Sequence, residues 1–147
     1  MRFLFCDRIV KIDKMRTIEG VKTFNLADEY HRAHFVDEAL VPGVIFIEAM
    51  AQLLGWLISY SHDFKLLGIM SMIERVEVPT DQRTGFESRI HGEILSTNSQ
   101  DTLAKAWIEV GGKTVASLER IIFIHFHDID SAEMAKLFRY CSGLKDF

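Results

Sequence analysis

The feature that most constrains this chain is a run of apolar residues in its first half. From Val44 to Tyr60 nearly every side chain is apolar, and the run approaches the length of a membrane span. It carries Glu48 near its start and Gln52 one turn later, and no second run of this kind follows. We therefore predict a helix buried inside a protein core, and no membrane span. A helix that is apolar all round must be covered on every side.

The remaining segments predict what covers this helix. A chain of 147 residues fits one domain, and most of its other segments are rich in strand-forming residues. The predicted strands are 3–12, 17–24, 66–78, 86–96, 103–110 and 114–126, and a terminal helix is predicted at 131–140, capped by Asp130 or Ser131. Gly111 and Gly112 favour a hairpin turn between the last two strands. We predict an α+β domain over 1–128, a curved antiparallel sheet around one central helix, with a helical tail over 129–147 packed on it.

Charge and cysteine content exclude some partners and favour one compartment. The formal charge of −4 is spread along the chain, whereas nucleic-acid binding needs concentrated positive charge. The first residues become charged too soon to supply an export segment. We therefore expect a cytoplasmic protein in which Cys6 and Cys141 are free thiols, although a disulfide between these two cysteines stays open.

The strongest chemical signal is a carboxyl group on an apolar helix. Burying an ionised carboxylate among apolar side chains is costly, so the presence of Glu48 in this helix requires an explanation. Gln52 lies on the same helix face. Gly43 stands at the helix start, where backbone N–H groups are free and a ligand can approach closely. With His34 upstream, Glu48 makes a workable acid/base pair. The residues by themselves leave open that Glu48 is a structural polar residue and His34 a loop histidine.

The spacing of these residues resembles a known family. His34-Phe35 is followed by six residues, then by Pro42-Gly43-Val44, and then by the run from Glu48 to Gln52, Glu-Ala-Met-Ala-Gln. This pattern resembles the signature of the 3-hydroxyacyl-acyl-carrier-protein dehydratases with the hot-dog fold, including the fourteen-residue step from His34 to Glu48. The resemblance extends over about residues 1–126. Glutamate at position 48 resembles the general chain-elongation branch, since the isomerising branch has aspartate there.

The resemblance implies a site and a mechanism. His34 would remove the proton from C2 of the acyl thioester, and Glu48 would protonate the departing 3-hydroxyl. The backbone N–H of Gly43 would hold the thioester oxygen, with Val44, Phe35 and Gln52 as further substrate-binding residues. Such an elimination needs no redox cofactor or metal, so neither is predicted.

The resemblance also implies partners. The substrate would be a 3-hydroxyacyl chain linked through phosphopantetheine to acyl carrier protein. The enzyme would be a homodimer with His34 of one subunit facing Glu48 of the other, and a trimer of dimers is a further option. Ala33, Val36-Asp37 and Ala39 depart from the family's usual loop. A specialised polyene or polyketide-like pathway therefore remains an alternative. An acyl thioesterase on the same fold, which the spacing from His34 to Glu48 disfavours, and a non-catalytic acyl-binding subunit are alternatives of other classes.

Other residues carry weaker signals. His125 and His127 are two residues apart, so on a strand their side chains share one face and could bind a metal ion together. No third ligand is evident, so the preferred interpretation is a solvated strand end. The methionines Met50, Met70 and Met72 are interpreted as core residues, with an acyl tunnel as the alternative. Trp56 and Trp107 are interpreted as core residues.

Overall fold

The computed structural model describes residues 5–28 and 37–144. Within these ranges the chain forms six strands and two helices: β1 (Arg8–Asp13), β2 (Thr17–Phe24), α1 (Gly43–Ser61), β3 (Leu67–Glu77), β4 (Phe86–Thr97), β5 (Asp101–Val110), β6 (Lys113–Phe126) and α2 (Ser131–Ser142). The predicted order of strands and helices is confirmed. The first strand is shorter than predicted, since it begins at Arg8 and residues 5–7 lie outside it.

All six strands join one antiparallel sheet with the order β1-β2-β4-β5-β6-β3. The predicted hairpin between β5 and β6 turns at Gly111 and Gly112, whose φ angles of 59° and 78° suit glycine. Strand β3 returns from the end of α1 to pair with β6. As a result β3 forms one edge of the sheet and β1 the other.

Helix α1 packs closely on the sheet because two strand residues opposite it have no side chain. A Cβ added at Gly92 would lie 2.7 Å from Cδ2 of Leu54, and one added at Gly20 would lie 2.9 Å from Cδ1 of Leu53. Leu53 and Leu54 are both fully buried. These glycines allow the helix to approach the sheet more closely than any larger residue would, which brings the core to native packing density.

The start of α1 is fixed by its connection to the loop before β4. Val41 donates its N–H to the carbonyl of Gln82 at 2.9 Å, and Thr84 donates to the carbonyl of Ala39 at 2.9 Å. One turn into the helix, Phe46 is fully buried and packs on Phe24 of β2 at a ring-centroid distance of 5.3 Å. The helix therefore enters the fold at a defined place.

Helix α2 closes the opposite end of α1. Its cap is Asp130, one of the two predicted residues, whose Oδ1 accepts the N–H groups of Ala132 and Glu133 at 2.9 and 3.1 Å. Phe138 of α2 is fully buried. Its ring packs on Trp56 of α1 at a centroid distance of 5.6 Å. The division of the chain after residue 128 stays a prediction.

The described residues leave one side of α1 uncovered, whereas the sequence predicted cover on every side. The side of the helix that carries Val44, Glu48 and Gln52 faces away from the packed core, and Val44 is 62% exposed. The cause is that the sheet curves around only part of the helix. Within the described residues, α1 is also the one helix long and apolar enough to cross a membrane, and half of its most apolar stretch is buried in the fold.

Candidate active site

The open side of α1 borders a pocket of about 260 Å³. It lies between the middle of the helix, the first half of β3 and the last half of β6. Its lining residues are Glu48, Ala51, Gln52, Gly55, Trp56, Leu67, Gly68, Met70 and Phe123. Among these, Glu48 carries the one ionisable side chain. The pocket is therefore an apolar groove with a single carboxyl group, an arrangement typical of small-molecule sites.

The carboxylate of Glu48 is held by a short chain of hydrogen bonds. Nε2 of Gln52 donates to Oε1 of Glu48 at 2.8 Å, and Oε1 of Gln52 accepts the backbone N–H of Phe5 at 2.9 Å. The helix sets the first of these contacts because residues four apart share a face. The second fixes the orientation of the amide group, so that its N–H points toward Glu48. Gln52 thus orients the carboxylate, and its predicted role in substrate binding stays a prediction.

Gly43 lies at the first position of α1, where no side chain among the described residues caps the helix. A Cβ at this position would lie 2.8 Å from Cγ2 of Val78, so the glycine is also required by packing. The uncapped end leaves backbone N–H groups available to an oxygen that carries partial negative charge. Gly43 and Val44 do not line the pocket. His34 and Phe35 lie outside the described residues, so no position is assigned to the proposed base.

The structure adds site residues that were not identified from the sequence. Trp56, interpreted as a core residue, lines the pocket, and so does Gly55. Gly55 and Trp56 follow Glu48 by seven and eight residues, which places them on the same side of the helix. This spacing is the sequence feature that could have identified them. Of the three methionines, Met70 lines the pocket, Met50 is fully buried in the core and Met72 is exposed on β3.

The histidines near the end of β6 form a separate cluster. His125 is buried and bonds through Nε2 to Oγ1 of Thr102 at 2.8 Å, and Thr102 in turn bonds to Oγ1 of Thr97 at 2.6 Å. His62, which caps α1, contacts Thr97 at 3.2 Å. Desolvation lowers the pKa of both His62 and His125. Within the described ranges no three His, Cys, Asp or Glu side chains are placed to hold a metal ion.

The sequence matches a known domain family. Residues 1–119 match the model of the FabA-like domain, which is four-fifths of the chain. The chain belongs to the FabA-like domain family. It is 29% identical over 123 residues to the 3-hydroxyacyl-acyl-carrier-protein dehydratase FabZ of Thermoanaerobacter sp. strain X514, covering 83% of this chain and 86% of that protein. It is likewise 29% identical over 119 residues to the FabZ of Bartonella bacilliformis, covering 80% and 77%. The predicted resemblance is confirmed.

Solved structures agree on the fold of this FabA-like domain. A hot-dog-like protein from Thermanaerovibrio acidaminovorans superposes with a TM-score of 0.64 at 11% identity, covering 90% of this chain and 96% of that one. The dehydratase heterocomplex ApeI:P from Xenorhabdus doucetiae superposes with a TM-score of 0.65 at 15% identity, covering 92% and 89%. The predicted α+β hot-dog fold is confirmed.

Proposed function

We propose that this FabA-like domain removes water from 3-hydroxyacyl thioesters to give trans-2-enoyl thioesters. The observation that carries the proposal is the carboxyl group of Glu48, oriented by Gln52 at an otherwise apolar groove. The groove suits an acyl chain, and the carboxyl group suits a proton transfer at its polar end. The curated relatives named FabZ support the same chemistry. Glutamate at position 48 supports the chain-elongation type within the family.

The proposed mechanism divides one elimination between two side chains. His34 accepts the proton from C2 of the thioester, while Glu48 gives a proton to the 3-hydroxyl as the C3–O bond breaks. The electron pair of the C2–H bond becomes the new C2=C3 double bond, and water leaves. No electrons are exchanged with a second reactant, so the balanced step requires no redox cofactor. Negative charge that develops on the thioester oxygen is stabilised by the N–H of Gly43 at the uncapped start of α1.

The proposed assembly is a homodimer that shares its sites. Strand β3 lies at the sheet edge, and its Ile69 and Met72 are 50% and 47% exposed. On the neighbouring strand β6, Ile124 and Phe126 are exposed as well. An apolar sheet edge with unpaired backbone groups favours association with another strand. A second copy bound at β3 would lie beside the pocket, since Leu67, Gly68 and Met70 of the same strand line it. The acyl carrier protein stays the proposed donor of substrate.

The direct test is a panel of 3-hydroxyacyl thioesters, on pantetheine and on acyl carrier protein, followed by enoyl absorbance. We expect absorbance to rise with purified protein and without added metal. Release of free thiol from the same substrates, without enoyl absorbance, would instead identify a thioesterase. A purified chain that binds the thioesters without turning them over would identify a non-catalytic acyl-binding subunit.

A mixed dimer tests the shared site. Combining one His34→Ala chain with one Glu48→Gln chain gives one site with both lesions and one site with neither, if the two residues come from different subunits. Two separate affinity tags isolate this species from the inactive homodimers. We expect up to half of the wild-type rate per dimer. A verified mixed dimer without activity would reject the shared site.

A further inference from the structure

The pocket continues along α1 well beyond the carboxyl group of Glu48. Trp56 lies eight residues further along the same side of the helix and also lines the pocket. At 1.5 Å per residue, the distance along the helix axis from Glu48 to Trp56 is about 12 Å. Between them lie Ala51 and Gly55, and opposite are Leu67 and Phe123. The groove therefore has a polar end, an apolar course and a large aromatic side chain at its far end.

Gly55 is unusual because packing among the described residues does not require it. A Cβ added at Gly55 would have no heavy atom of these residues within 4 Å, whereas one added at Gly92 would lie 2.7 Å from Leu54. Glycine in the interior of a helix is less favourable than alanine, since it loses more backbone freedom on folding. The space that a side chain at Gly55 would fill belongs to the groove. Glycine at this position thus widens the groove at the expense of helix stability.

Trp56, at the end of the groove, is held in place by the tail helix. The ring of Trp56 packs on Phe138 of α2 at 5.6 Å, and Phe138 is fully buried against Tyr60 and Phe64 at 5.7 and 5.2 Å. Helix α2 lies beyond residues 1–119, which match the family model. A residue outside the matched domain therefore supports a side chain that lines the pocket inside it.

We propose that Gly55 and Trp56 determine which acyl chains this enzyme accepts. The acyl chain passes over Gly55 and ends against Trp56, whose position Phe138 maintains. A groove of about 12 Å accommodates roughly eight to ten carbons of an extended chain beyond C3, the carbon whose hydroxyl meets Glu48. The preferred substrates are therefore unbranched 3-hydroxyacyl thioesters of medium length, up to about twelve carbons. This inference rests on the proposed dehydratase function and adds its chain-length specificity.

The test compares kcat/KM over unbranched substrates of four to sixteen carbons. Gly55→Leu should lower kcat/KM for substrates of about ten carbons or more by at least about 100-fold relative to the four-carbon substrate, since a hydrophobic pocket discriminates about 10- to 200-fold per carbon. Gly55→Ala should produce a smaller loss of about 10-fold on the long substrates. The same variant should raise Tm by about 2 to 4 °C, because alanine stabilises a helix interior.

Variants at the end of the groove should act in the opposite direction. Trp56→Ala should shift the preference toward longer substrates, through a lower KM for them rather than a higher kcat. Phe138→Leu keeps a large apolar side chain in the core of α2, so it should fold and produce the same shift to a lesser degree. A chain-length profile unchanged in all four variants would overturn the proposal. Equal loss at every chain length, together with a changed oligomeric state, would show that the space beside Gly55 belongs to a second subunit.

A binding measurement separates this inference from the proposed function. Trp56 and Trp107 are the two tryptophans of the chain, and Trp107 lies on β5, outside the pocket. In a Trp107→Phe background, the fluorescence of Trp56 reports on ligands that reach the end of the groove. Saturated acyl-pantetheines should change this fluorescence only when their chains have about twelve carbons, enough to span the roughly 12 Å from Glu48 to Trp56. This response in a protein without dehydratase activity would support the groove and reject the proposed function. Equal fluorescence changes at all chain lengths would reject the groove.

Discussion

The two sides of α1 use glycine in opposite ways. On the closed side the glycines belong to the sheet, and at Gly20 and Gly92 an added Cβ would lie within 3 Å of a buried leucine. On the open side the glycine belongs to the helix, and at Gly55 an added Cβ would have no neighbour within 4 Å among the residues that the structure describes. The first arrangement brings two surfaces together, and the second keeps a space open. Helix α1 therefore forms both the core of the fold and one wall of a site.

The largest expected effect is a loss of turnover on substituting Glu48, which lies on the open side of α1. Glu48→Gln should lower turnover about 10²- to 10⁴-fold, the usual contribution of a general acid, and leave the free energy of unfolding nearly unchanged. Leu54→Ala on the closed side is its counterpart, since it should reduce stability by about 2 to 5 kcal/mol. Enoyl absorbance and urea denaturation measure the two effects. If Glu48→Gln strongly destabilised the protein, the carboxyl group of Glu48 would have a structural role. The open and closed sides of α1 would then not differ in function.

Gln52 is expected to act through Glu48. Gln52→Leu keeps the size of the side chain and removes its donor to the carboxylate. Glu48 becomes charged as it gives its proton to the 3-hydroxyl, and a hydrogen bond to a charged group contributes about 1.5 to 3 kcal/mol, which corresponds to a loss of roughly 10- to 100-fold in kcat. Because Gln52 positions the carboxylate, KM should change little. A rise in KM at unchanged kcat would return Gln52 to the substrate-binding role that the sequence predicted.

A matched pair of glycine variants tests the comparison directly. Gly92→Ala should destabilise the fold by about 1 to 3 kcal/mol, because its Cβ would press on Leu54 and on Ile18. Gly55→Ala makes the same chemical change on the open side, where we expect higher stability. Thermal or urea denaturation of both variants decides the outcome. If both lose stability to the same degree, the space beside Gly55 is occupied in the assembled protein.

The sequence was sufficient for the fold but not for the whole site. The order of strands and helices followed from their apolar patterns, and the turn at Gly111 followed from turn chemistry. Glu48 was noticed because a carboxyl group on an apolar helix conflicts with burial, and the resemblance to the dehydratase motif gave it a role. Trp56 was missed because a tryptophan in the same helix agrees with burial, and its role depends on β3 and β6. Only the paired strands show that this side of the helix borders an open space.

Low pH should reduce the stability of the folded protein through His125, near the end of β6. The pKa of His125 is lowered by desolvation and by the charges of His62 and His127, against Asp101 and a backbone hydrogen bond. The folded protein thus binds a proton less readily than the unfolded chain, so stability is full above the ordinary pKa near 6.5 and falls as the pH drops below it. His125→Gln keeps a partner for Thr102 but does not titrate. We expect a smaller loss of Tm between about pH 7 and pH 5 in this variant.

The smallest expected effect concerns the thiol that packs on the closed side. Burial raises the pKa of Cys6 to about 11 from the usual 9.0. Its Sγ is the atom that an added Cβ at Gly20 would meet at 2.8 Å, so the thiol is part of the packing that keeps the helix close to the sheet. The thiolate is the reactive form, and a pKa two units higher leaves about 100-fold less of it near neutral pH. Iodoacetamide should therefore modify Cys6 far more slowly in the native protein than in urea, as mass spectrometry of its peptide would measure. Similar native and denatured rates would mean that the contact between Cys6 and Gly20 opens readily, and the closed side would then be less rigid than its glycines indicate.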